Sequence, residues 1–134
     1  MWTWSRKPKS VWVRGEDEAA GLMRRAGCAI LARNLRLPMG EIDLLCREKK
    51  SGTVVIVEVK AREYSEDDRV RISPTANINH AKQQKLRTLA RAIKKDPKYR
   101  DAPIRIDAIG VIFAKGRRAP VEIKHYIGAV RDES

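Results

Sequence analysis

The segment from Gly40 to Arg62 constrains the fold of this chain most. Two runs rich in strand-forming residues, 41–47 and 53–62, flank Glu48-Lys49-Lys50-Ser51-Gly52, a polar turn that ends in glycine. That pattern predicts a β-hairpin. A turn centred on Lys50-Ser51 sets Asp43 opposite Glu58 and Glu41 opposite Lys60. Side chains alternate along a strand, so Glu41 and Asp43 share a face, matched by Glu58 and Lys60 on the partner strand. Facing Cβ atoms in such a ladder stand roughly 4.5–5.5 Å apart. The opposite face is apolar throughout: Ile42, Leu44 and Cys46 against Val55, Val57 and Val59. Leu45 and Ile56 stand beside the acids and the lysine. Isolated charges are costly there, so a bound cation or mutual pairing is expected.

The remaining segments fit one mixed α/β domain around this hairpin, in the order α-β-β-β-α-β-β. Residues 15–26 read as a helix from Ala19, Leu22, Met23 and Ala26, with Glu16, Asp17 and Glu18 expected in its first turn and Gly27 as its stop. Residues 28–36 read as a strand, broken by Pro38-Met39-Gly40. A charged loop follows over 63–77. The second helix, 78–96, carries the stripe Leu86, Leu89, Ala90 and Ile93 and ends before Pro97. Strands 104–113 and 121–127 complete the domain, which is expected over residues 14–128. A basic arm, 1–13, precedes it with Trp2, Trp4 and Trp12, and a tail, 129–134, follows. Trp12 is expected to join the core.

Charge narrows the function. Lys plus Arg number 29 against 17 Asp plus Glu, a net charge of +12. Such an imbalance points to a polyanion, with nucleic acid ahead of an anionic membrane surface. Purely apolar runs are only a few residues long, which predicts no transmembrane helix. The start, Met1 to Lys7, lacks the apolar centre of a secretory signal. Cys28 and Cys46 read as core residues of a reducing, cytoplasmic protein. With only His80 and His125 besides, no Cys/His zinc site can form. There is no GxxxxGK[ST], GxGxxG or GxSxG motif.

A metal here would be a hard one held by carboxylates. Asp43 and Glu58 suit Mg²⁺, or Mn²⁺, with the Val59 carbonyl as a third oxygen. Lys60 is then placed to orient or deprotonate a water, or to stabilise a pentavalent phosphate. The plain alternative is a set of cross-strand ion pairs on a solvated face. Arg87, Arg91, Lys94 and Lys98, at spacings of four, three and four, form a stripe able to follow a phosphate backbone. Arg62, Lys82 and Lys85, with Arg117 and Arg118 at the last hairpin tip, are counted in the same basic surface. An ordinary solvated helix face would mix signs more evenly.

Gly40-Glu41-Ile42-Asp43-Leu44-Leu45 followed by Val57-Glu58-Val59-Lys60-Ala61-Arg62 resembles the D-x(n)-E-x-K signature of restriction-endonuclease-like nucleases. With Gly15-Glu16, Arg33-Asn34-Leu35-Arg36, Lys82 with Leu86, and Arg105-Ile106-Asp107, the chain resembles the YraN family of small bacterial proteins. The likeness spans about residues 14–128. It implies a central mixed sheet flanked by helices, similar to Holliday-junction resolvases, and a catalytic set of Glu16, Asp43, Glu58 and Lys60. Glu16 shares a helical side with Ala19, Ala20 and Met23, which lets it turn toward the sheet. As a helix-terminal charge it would have no such role. The expectation is a metal-dependent nuclease acting on DNA rather than RNA, with branched DNA suggested by the resemblance. The alternative is a nucleic-acid-binding domain with a vestigial site. Junction-cutting enzymes of that fold often pair, so a homodimer is expected on resemblance, although no dimer surface is evident in the sequence. The acidic stretch Glu63 to Asp68 departs from the small residues and glycine usual after the lysine.

Overall fold

A computed structural model describes residues 10–65 and 78–131. Trp2, Trp4, residues 66–77 of the expected loop and residues 132–134 of the tail lie outside them. Helix α1 (Val11–Arg25) begins earlier than expected, because Ser10 caps it: its hydroxyl accepts the Val13 N–H at 3.2 Å. The acids at 16–18 therefore stand beyond the first turn, which holds no acid. Trp12 lies inside the helix and is 45% exposed, so it is not a core residue. The buried stripe is Gly15, Glu16, Ala19, Ala20 and Met23. Gly27, at φ 90°, makes the stop.

Strands β1 (Cys28–Leu37), β2 (Gly40–Glu48) and β3 (Val54–Tyr64) follow as an antiparallel meander. Helix α2 (His80–Lys94), capped by Asn79, leads to β4 (Ile104–Ala114) and β5 (Pro120–Val130). The sheet order is β1-β2-β3-β4-β5, with β3 and β4 parallel. The mixed α/β class and the order α-β-β-β-α-β-β are as expected. Strand β5 runs further than expected, into the tail. No helix among the described residues is long and apolar enough to cross a membrane.

Each face of the sheet carries one helix. Beneath α1 lie Leu44, Cys46, Val55, Val57, Val59, Ile109, Val111 and Phe113. Beneath α2 lie Ile42, Leu45, Val54, Ile56 and Ile106, against Leu86, Leu89 and Ile93. Val54 to Val59 are all buried, as the central strand of a sheet covered on both sides must be. Cys28 and Cys46 are free and buried, and burial pushes the Cys46 thiol up to about 12. Gly15 lets α1 touch β3: a Cβ there would stand 2.4 Å from the Ala61 Cβ. Arg14 stacks 4.2 Å over the Phe113 ring and donates to the carbonyls of Arg117 and Arg118, tying α1 to the last hairpin.

The hairpin register is as expected for Leu44↔Val57 through Arg47↔Val54. The alternation in β2 is not: Ile42 faces α2, whereas Leu44 and Cys46 face α1. The break falls at Asp43, beside Asn34, which lies between the Arg33↔Leu44 and Leu35↔Ile42 pairs and takes φ 50°. Asparagine tolerates that left-handed conformation better than most residues.

Candidate functional site

The expected acids come from three elements and share one region. The β2–β3 ladder stops at Leu44↔Val57, short of both expected pairs, Asp43 with Glu58 and Glu41 with Lys60: Glu41 pairs with Arg36 on β1, and Glu58 and Lys60 with Ala108 and Gly110 on β4. Beyond that fork β2 offers Val59 no ladder carbonyl. Asp43 takes the bond instead, its Oδ2 accepting the Val59 N–H at 2.8 Å. Val59 is itself fully buried.

Glu16, Asp43 and Glu58 are 1%, 7% and 6% exposed. Burial first, then the Glu58 charge, pushes Asp43 up to about 7; Glu16 adds to the rise, while the Val59 N–H and Lys82 oppose it. Glu16 is also raised, by burial, against a hydrogen bond from Asn34 and the nearby Arg33 charge. Its Oε1 is buried with no hydrogen-bond partner among the described residues. Lys60 is half-buried and, by strand alternation, shares the face of Glu58. Among the described residues no three His, Cys, Asp or Glu side chains stand close enough to enclose a metal ion.

The cation on the acids comes from α2. Lys82 Nζ stands 2.8 Å from Glu58 Oε1, so Lys82 is engaged inside the site rather than displayed on an outer surface. The expected stripe along α2 is likewise divided. Arg87 is buried and its Nε donates to the Arg131 carbonyl at 2.8 Å, because it falls within the arc that packs on the sheet. Lys94 is half-buried with Nζ 2.6 Å from the Ala102 carbonyl. Arg91 and Lys98 are exposed, as are Arg62, Lys85, Arg117 and Arg118.

Three features escape a sequence reading. Asn34 supports Glu16, a role that neither its place in Arg33-Asn34-Leu35-Arg36 nor its suitability for a positive φ announces. Lys82 reaches Glu58 by helix packing, which no local pattern announces. Asp107 is fully buried and accepts from Arg105 Nε at 2.8 Å, Arg105 Nη2 at 3.0 Å and the Gly128 N–H at 2.9 Å, with His125 Nε2 at 2.8 Å. It fills the irregularity where β5 bulges past β4 between Ile106 and Ala108. The Arg-Ile-Asp motif thus clasps the sheet edge.

Known proteins match this chain over most of its length. A UPF0102 protein of Syntrophotalea carbinolica is 34% identical over 115 residues, 86% of this chain and 86% of that protein. One from Renibacterium salmoninarum is 37% identical over 108 residues, 81% of this chain and 86% of its own. One from a Mycobacterium species is 34% identical over 134 residues, covering 96% and 95%. The solved structure of Pyrococcus furiosus SfsA in complex with Ca²⁺ aligns with 85% of this chain and 60% of that chain at 19% identity. Its TM-score of 0.33 carries no argument about fold or function. The model of the uncharacterised protein family UPF0102 matches residues 15–111, which include Glu16, Asp43, Glu58, Lys60 and Lys82. With that match and these relatives, the chain belongs to family UPF0102, the YraN family.

Proposed function

We propose that this chain is a Mg²⁺- or Mn²⁺-dependent nuclease of the cytoplasm that hydrolyses phosphodiester bonds in DNA, with branched or structured DNA as its substrate class. What carries the proposal is the convergence of Glu16, Asp43 and Glu58, all more than nine-tenths buried, with one ammonium, Lys82, against them. Burying carboxylates without matching cations costs stability, so such a cluster serves chemistry better than packing. The donors suit a hard divalent ion: all are oxygens, and Glu16 Oε1 has a lone pair that no described group uses. Asp43 and Glu58 would hold the ion with the Val59 carbonyl as the third protein oxygen, and Glu16 would accept from a water bound to it.

A bound Mg²⁺ supplies Lewis acidity toward the phosphate and acidifies a water. The protein's own groups do the rest. Asp43 is fixed by the Val59 N–H through Oδ2, so Oδ1 keeps one direction. Lys60, on the face of Glu58, orients the attacking water and stabilises negative charge gathering on the phosphate. Arg62, Lys85, Arg91, Lys98, Arg117 and Arg118 are the exposed cations for the backbone. Arg87 and Lys94 are spent on internal carbonyls.

One observation favours a second reading. The Lys82–Glu58 pair satisfies Glu58 without a metal, as a nucleic-acid-binding domain with a vestigial site would require. Cleavage separates the two. Wild-type protein with Mn²⁺ or Mg²⁺ is offered duplex, single-stranded and four-way-junction DNA. Cutting is expected, and Asp43→Ala or Glu58→Ala should each reduce it roughly a hundredfold or more. DNA left uncut, but bound equally by all three proteins, would establish the binding domain instead.

A further inference from the structure

Among the described residues, the cation in contact with Glu58 is not the strand lysine, Lys60, but Lys82 of α2. Its backbone is fixed in the first turn of the helix, where its N–H donates to the Asn79 cap at 2.8 Å. From there the side chain reaches inward to Glu58, whose own side chain is 8% exposed, while the lysine side chain stays 36% exposed. A buried carboxylate with a single ammonium 2.8 Å away has that oxygen occupied. An oxygen cannot serve the ammonium and a divalent ion at full strength at once, because the two cations repel at such a distance. Across the site, Glu16 Oε1 waits buried without a partner among the described residues. One end of the cluster is thus satisfied by a lysine and the other end is not.

We infer that Lys82 is an internal counter-ion that occupies the place of a divalent cation on Glu58 and must leave for the metal to bind. This rests on the proposed carboxylate metal site and adds to it a competing group. The exchange is geometrically open: the partly exposed lysine can swing its ammonium to solvent while its backbone stays on the cap. Lys82 is therefore a positioning residue. It holds Glu58 in place in the metal-free protein and lowers the apparent affinity for metal by competing for the same oxygen.

Titration calorimetry with Mn²⁺ alone tests this on wild type, Lys82→Met, Lys82→Arg and Asp43→Ala, at low salt and pH 8. Lys82→Met should bind Mn²⁺ roughly five- to tenfold more tightly than wild type, since the competing charge is gone. Lys82→Arg, which keeps the charge, should stay within about twofold of wild type, and Asp43→Ala should lose binding. Thermal unfolding supplies the second readout: in EDTA, Lys82→Met should melt below wild type, and Mn²⁺ should raise its melting temperature by more than it raises that of wild type. A purely structural lysine would not tighten metal binding when removed. If wild type binds Mn²⁺ and Lys82→Met binds equally or more weakly, the counter-ion role is overturned and the metal site stands. If neither binds Mn²⁺, both fall together. Should Lys82→Met not fold, Lys82→Gln carries the same comparison.

Discussion

Asp43 carries a cost that pH exposes. Its carboxyl is raised from 3.8 to about 7 by burial and by Glu58 and Glu16, against the Val59 N–H and Lys82. Between those two values the folded chain holds a proton that the unfolded chain has released. Stability linked to this group therefore falls as pH rises through that window, and the loss is complete above it. Asp43→Asn removes the titration and keeps an acceptor for the Val59 N–H. The variant should exceed wild type by about 1–3 kcal/mol at pH 8 without metal, with the difference closing near pH 4, as read from urea unfolding across that range. That Asp43 and Glu58 lie near each other was legible in the hairpin pattern, but the ladder ends one pair short of them, and what holds Asp43 there is the Val59 N–H. The placement of Glu16 on the buried side of α1 was legible from helical period, although the helix begins one turn earlier than its apolar pattern suggests. Lys82 at Glu58 was not legible, because a helix packed across a sheet brings together residues whose spacing carries no signal.

At the scale of elements, the joint between α1 and β3 depends on the absence of a side chain. Gly15→Ala puts a methyl 2.4 Å from the Ala61 Cβ, both backbones being held in regular structure. The gain in helix propensity, roughly 0.5–1 kcal/mol, does not cover such a collision. The variant should lose about 1–2 kcal/mol net. The double variant Gly15→Ala/Ala61→Gly should recover most of it, which thermal or urea unfolding reads directly. The same scale explains why the basic stripe expected along α2 is divided between core and surface. Leu86, Arg87, Leu89, Ala90 and Ile93 form one buried arc, and Arg87 belongs to it by angle, whatever its charge. Helical period assigns residues to a side; how wide an arc the sheet will cover is a property of the packed pair. In β2 the alternation was legible except at Asp43, where a positive-φ asparagine in the neighbouring strand displaces it.

At the scale of the molecule, a net charge of +12 dominates any encounter with a polyanion. With Arg87 and Lys94 turned inward, the cations of the expected basic surface that remain exposed are Arg62, Lys85, Arg91, Lys98, Arg117 and Arg118. Binding to a DNA duplex should then engage about four phosphates and weaken roughly a hundredfold between 50 and 200 mM salt. Fluorescence anisotropy measures that slope, and Arg117→Ala should reduce it by about one phosphate equivalent where Arg87→Ala instead lowers stability. The mixed class and the element order were readable because each segment keeps its own period. The coverage of both sheet faces was expected only on family resemblance, since the hairpin shows a mixed face beside Leu45 and Ile56.

The parallel seam has a consequence for how the protein is made. Every β3–β4 partnership joins residues fifty positions apart, while β1-β2-β3 and β4-β5 join near neighbours along the chain. Closing so distant a pairing is the slow, entropically expensive step of such a topology. Glu16, Asp43, Glu58, Lys60 and Lys82 all precede the seam's second strand, and the second half adds none of them. During synthesis these five residues therefore leave the ribosome before the seam can close. The strands that complete the sheet beyond β3 arrive later, so the cluster of acids and the finished sheet that carries it are made as two separate events.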